Sequence, residues 1–137
     1  MGRAARDWAV AEPASWALLY GSPVPGYHAP SESTVGPGTR VVGALFRVVA
    51  DGIAAGDVPS AAPASVPSAP DFDRIRAEFA FAGDDAAVTK CFLLWAALVG
   101  AISLEVFGQY GSDTLTSPAE VFDGQLRLLI ATLERPN

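Results

Sequence analysis

Only one cysteine, Cys91, and one histidine, His28, occur in the 137 residues. A lone cysteine excludes an internal disulfide and the usual zinc-cluster spacings. Cys91 lies inside an apolar run, where it reads as a small packed hydrophobe. Charge is also sparse. Only 18% of residues are Asp, Glu, Lys or Arg, and nine basic residues against fifteen acidic ones leave a net charge of −6. Such a chain as a whole repels nucleic acid and anionic lipid. Half of it is hydrophobic, which excludes disorder. The N-terminus, MGRAARDWAV, has no apolar signal segment, so a cytoplasmic protein is expected. No Gly-rich phosphate loop follows a strand, and no serine sits in a G-x-S-x-G elbow. Neither a metal site nor a cofactor is expected. Gly83–Asp84–Asp85 reads as a helix cap.

Long uncharged runs without proline are scarce too, with one exception. From Cys91 to Leu104 no residue is charged. A membrane span needs about 20 apolar residues, and this run ends earlier, at Glu105. It reads as a buried helix, with no membrane partner.

Proline and glycine mark off the helices. Residues 3–12 are helix formers, and Pro13 breaks that helix and opens a second over PASWALLY, with Gly21 as its stop. The stretch Ser22–Thr34, rich in proline, reads as a packing loop carrying Val24, Tyr27 and His28. Pro37 is expected to open a third helix, running to about Ala55, with Val42, Leu45, Phe46, Val49 and Ile53 on one stripe. Asp57–Pro70 holds four prolines and reads as an internal linker. Asp71 caps a short helix with Phe72, Ile75 and Phe79 inward, ended at Gly83. Asp84 or Asp85 caps the long helix, ended by Gly108 and Gly111. Ser117–Glu120 is a capping box with proline at the first helical position, and the last helix runs to about Glu134. The pattern predicts an all-α domain of five to six helices over residues 1–137.

Two stripes cover the long helix: Val88, Phe92, Trp95, Val99, Ile102, Val106, and Leu94, Ala97, Leu98, Ala101, Leu104, Phe107. A helix apolar on both sides must be covered on both sides. Ala96, Ala97, Gly100 and Ala101 are small enough for a second helix to approach. Val121, Gln125 and Leu128 lie opposite the main stripe of the last helix. A two-fold homodimer through a four-helix bundle is therefore expected; the alternative is a monomeric bundle with a central helix. The aromatics could line a cavity between helices, with Tyr20, Tyr27 and Glu105 as polar handles, or simply pack in the core. Glu105 could meet a ligand or Tyr110, or point to solvent at the rim.

WAVAEPASWALLYGSPVPGYHAP (Trp8–Pro30) and WAALVGAISLEVFGQY (Trp95–Tyr110) together resemble the C-terminal regulatory domain of TetR-like transcriptional regulators, in its WHG branch. The likeness extends from about residue 3 to 134. It implies a domain that senses a small hydrophobic effector and forms a homodimer, and that is not an enzyme. By position, Trp16, Tyr20, Tyr27, Phe46 and Trp95 become cavity candidates. Gly100, Ala101, Leu104, Phe107, Leu126 and Leu129 become interface candidates. The N-terminal helix-turn-helix head of such regulators needs about fifty residues and basic groups for phosphates. These 137 residues hold no such head, and only Arg3 and Arg6 stand near the start. Operator DNA is expected as a partner only through that head. Two other readings use the same residues: a small helical enzyme or carrier for a hydrophobic ligand, with Glu105 and His28 as its acid–base pair, or a headless heterodimerising partner of intact regulators.

Overall fold

The computed structural model describes residues 1–22, 25–26, 31–59 and 69–134, with the backbone alone for 31–38. Tyr27 and His28 lie outside the described residues. Six helices form: α1 (Gly2–Ala11), α2 (Pro13–Tyr20), α3 (Ser31–Ala55), α4 (Phe72–Phe79), α5 (Asp85–Val106) and α6 (Pro118–Ala131). No strand occurs among the described residues, so the fold is all-α as the sequence indicates.

Several boundaries follow from local chemistry. Pro13 stands at the start of α2, and the turn between α1 and α2 lies at Glu12, with φ −126° and ψ 59°. Asp84 caps α5, its carboxylate accepting the Ala87 amide at 2.8 Å. Past the end of α5, Gly108 and Gly111 take φ of +66° and +90°, a region that costs other residues steric strain.

Three boundaries differ from expectation. Helix α3 starts at Ser31 rather than Pro37. A proline removes one amide from the i→i−4 ladder, and the helix continues on both sides of it. Helix α4 stops at Ala80 rather than Gly83, with Ala80 left-handed at φ 48°. Burial of Phe81 turns the chain out of the helix at that point. Replacing Ala80 with Gly should relieve that strain and raise stability by roughly 0.5–1 kcal/mol, measured by urea unfolding. Helix α6 ends at Ala131, a turn before Glu134. Asp71 does occupy the N-cap position of α4, yet its carboxylate accepts from Arg74 at 3.0 Å instead of capping an amide.

The chain forms two compact units, Met1–His28 with Ala96–Ala131, and Ala29–Trp95 with Thr132–Asn137. In the second unit, Phe46 is the centre. Its ring stacks on Phe79 at 4.7 Å and meets Phe81 and Phe92 edge-on. The expected stripe of α3 is correct here: Leu45, Phe46 and Val49 are buried, while Val41 and Val48 are exposed. Val58, at the start of the expected linker, is buried too, with its amide bonded to the Gly52 carbonyl; residues 60–68 of that linker lie outside the described residues. Close packing also explains Gly83, where a Cβ would come within 2.4 Å of the Phe81 ring.

On α5 the buried line is Val88, Cys91, Leu94, Leu98 and Ile102. It takes members from both expected stripes and leaves Phe92, Leu104 and Phe107 exposed. A helix apolar all round carries no amphipathic bias, so packing rather than sequence chooses the buried line. Desolvation in that line pushes the Cys91 thiol from 9.0 to about 12. At pH 8 this cuts the thiolate fraction about a thousandfold, so a thiol reagent should label the folded chain far more slowly than the urea-unfolded one. Because the folded value is the higher one, the stabilisation is complete below 9.0 and is lost as pH rises toward about 12.

Candidate functional site

The residues with polar chemistry in apolar surroundings gather in the first unit. Trp16 is buried, with its indole N–H donating to Ser103 Oγ at 3.1 Å. That bond satisfies the single donor an indole brings into a core. Tyr20 lies 4.3 Å from the Trp16 ring, one helical turn on, and burial pushes its hydroxyl pKa up. Trp8 meets Trp16 edge-on at 6.2 Å. Around them Ala9, Leu98, Ile102 and Phe122 form the core of the unit. Among the described residues no charged or polar residue is buried.

Glu105 does not point to solvent. Its two carboxylate oxygens accept from Arg6, Nε to Oε2 at 2.8 Å and Nη2 to Oε1. The two side chains are only 14% and 16% exposed, so water screens the pair weakly. The Arg6 guanidinium also lies over the Phe122 ring, 5.8 Å from its centroid. One turn earlier, Arg3 Nε donates to Asp123 at 2.7 Å. That bond holds the Asp123 carboxyl below the ordinary 3.8. Its contribution is therefore complete above 3.8 and is lost as pH falls through the lower folded value. Tyr110, the other partner considered for Glu105, accepts instead from the Gln125 side chain at 3.3 Å. A cleft of about 120 Å³ opens where Arg3, Arg6 and Asp7 meet Ala119, Phe122 and Asp123.

Of the cavity candidates, Trp16 and Tyr20 come together with the Arg6-bound Glu105 in this unit. Phe46 lies in the other unit, closed in by rings, and Trp95 is half-buried on α5. The interface candidates fall into two groups. Leu104 and Phe107 are exposed, with half-buried Ala97 and Gly100 before them on α5. Ala101 and Leu126 pack against their own unit's core, and Leu129 is half-buried. Val121 is exposed on α6, and Leu128 is 71% exposed, a large aliphatic side chain facing water. A Cβ at Gly100 or Gly124 would meet nothing, so open space lies beside both. Arg6 had no local signal as a partner, since 99 positions separate it from Glu105. Among the described residues no group of His, Cys, Asp and Glu could hold a metal ion.

Comparison with known proteins gives the lineage. The family described as tetracyclin repressor-like, C-terminal domain, matches residues 1–129. A protein of Mycobacterium tuberculosis named an HTH-type transcriptional regulator is 63% identical over 136 residues. A Mycobacterium bovis protein of the same description is equally similar. Each match takes in 97% of this chain and 57% of the relative, so the chain spans little more than half the length of these regulators. With a family match along nearly its whole length and relatives this similar, the chain belongs to the TetR-like transcriptional regulators, as their C-terminal domain.

Proposed function

We propose that this chain is the effector-sensing and dimerisation domain of a cytoplasmic regulator, and that two copies pair through α5 and α6. The observation that carries this reading is the exposed apolar surface of those two helices. Leu104, Phe107, Val121 and Leu128 face water, and positions 97, 100 and 104 of α5, with Phe107 just past its end, follow the alternating three–four spacing of a helix seam. Removing such side chains from water stabilises association by about 1.5–3 kcal/mol each when burial is complete. The effector is a small hydrophobic molecule. The largely apolar interior supports that choice, because among the described residues no charged residue is fully buried, and the nearly buried Arg6 and Glu105 already pair with each other. Trp16, Tyr20 and Glu105, all of the first unit, are its proposed contacts. In a regulator with a helix-turn-helix head, effector binding here would reset the spacing of two heads on operator DNA.

Tryptophan emission tests the sensing part. A panel of neutral apolar compounds, titrated against the wild-type chain, should include one that changes emission saturably at one equivalent per chain. The same titration against Trp16→Phe should show a smaller change. If every response is linear in added compound, no effector site of this class exists.

A further inference from the structure

Two glycines stand inside helices of the first unit without a reason in their own chain. Gly100 lies within α5 and Gly124 within α6, and neither takes a positive φ. Glycine in a helix interior destabilises relative to alanine, because it gives the unfolded chain more freedom to lose. On α3, packing explains the choice. A Cβ at Gly52 would come within 2.8 Å of Val58, and one at Gly43 within 3.4 Å of the Phe79 ring. At Gly100 and Gly124 a Cβ would meet nothing within 4 Å. Both positions also fall on the apolar surface. Gly124 stands between exposed Val121 and Leu128, in a three–four spacing continued by exposed Ala131. Gly100 stands between Ala97 and exposed Leu104 at the same spacing. At 100° per residue, these lines run opposite the packed ones, Leu98 with Ile102 on α5 and Phe122 with Leu126 on α6. Flanking charges ordinarily set the register of paired helices, yet no residue from Cys91 to Leu104 is charged. Shape must set it there, and the two positions without a side chain are the dips in that shape.

We infer that a second copy of this chain crosses it at Gly100 and Gly124, its helix backbones seated where the Cβ atoms are missing, and that these two glycines set the register of the pair. The inference rests on the pairing through α5 and α6 proposed above and adds the place of closest approach. Leu104, Val121 and Leu128 flank the dips as the knobs that fill the partner's holes. In a two-fold pair, each substitution enters the contact twice.

Sedimentation equilibrium of wild type, Gly100→Ala, Gly124→Ala and Gly100→Leu over a dilution series tests it. Each alanine variant should raise the dissociation constant at least about tenfold, and Gly100→Leu about a hundredfold or more. Ala54→Leu, at an exposed position of α3, should change it less than about twofold. The single chain should respond with the opposite sign. In the Leu104→Glu, Leu128→Glu background, where pairing is removed, each alanine should raise the folding equilibrium constant about two- to fivefold by urea unfolding. An alanine that lowers that constant overturns the inference, because the glycine then serves its own fold. A paired wild type whose glycine variants pair equally well overturns the crossing and leaves the pairing standing. A wild type that stays single at every concentration overturns both.

Discussion

Truncating Phe46 to Ala should lower stability by about 3–5 kcal/mol. Its side chain is 1% exposed and three other phenylalanine rings surround it. The stacked partner Phe79 would lose its ring face, and Phe81 and Phe92 their edge contacts. Aromatic pairs add about 0.5–1.5 kcal/mol beyond the area they bury. Alpha-carbon positions in α3 and α4 limit how far the gap can close, because Phe79 already rests against Gly43. Total stability of a domain is about 5–15 kcal/mol, so the loss is a large fraction of it. Thermal unfolding should show a midpoint lower by on the order of 10 °C. Val48→Ala, on the exposed side of the same helix, should stay within about 0.5 kcal/mol. Equal effects from the two substitutions would mean that α3 is packed the other way round.

The second large effect is expected on association. Replacing Leu104 and Leu128 together with Glu should convert a dimer into a monomer. Both side chains are exposed in the single chain, so the charges cost its fold little. In a paired state they would enter an apolar seam, where an unpaired carboxylate costs several kcal/mol. Ala101 is a poorer place for such a charge. It packs against the unit's own core, and an arginine there would damage the protomer before it reported on the partner. Leu18→Glu serves as the control. Leu18 is 87% exposed on α2, away from the proposed seam, and its substitution should leave the mass unchanged. Sedimentation of the two variants beside wild type separates these outcomes.

How much of this was readable beforehand differs by element. Helices α1 and α2 and the start of α5 were legible because proline, glycine and Asp84 act within a few residues of where they stand. The stripe of α3 was legible because polar and small residues interrupt it. Neither condition holds on α5. With apolar residues on every side, the sequence allows several buried faces, and the line through Cys91 was chosen by packing against the rest of the chain. The start of α3 is not legible, because Pro37 suits a first helical turn yet stands within the helix. The left-handed turn at Ala80 had no local mark at all, since alanine ordinarily favours continued helix. In the first unit, the helical spacing of Trp16 and Tyr20 makes their shared face legible in the sequence, and the two rings do meet. The partner of Glu105 was not found. Ion pairs across distant helices leave no periodic trace, and nothing near Arg6 in the sequence marks Glu105 as its partner.

The most direct measurement is the mass of the wild-type chain in solution, by light scattering after gel filtration, over a range of low micromolar concentrations. Pairing through α5 and α6 requires a mass near twice 14.2 kDa, held across that range. A mass of 14.2 kDa at every concentration would contradict it and leave the exposed surface of Leu104, Phe107, Val121 and Leu128 without the role assigned to it.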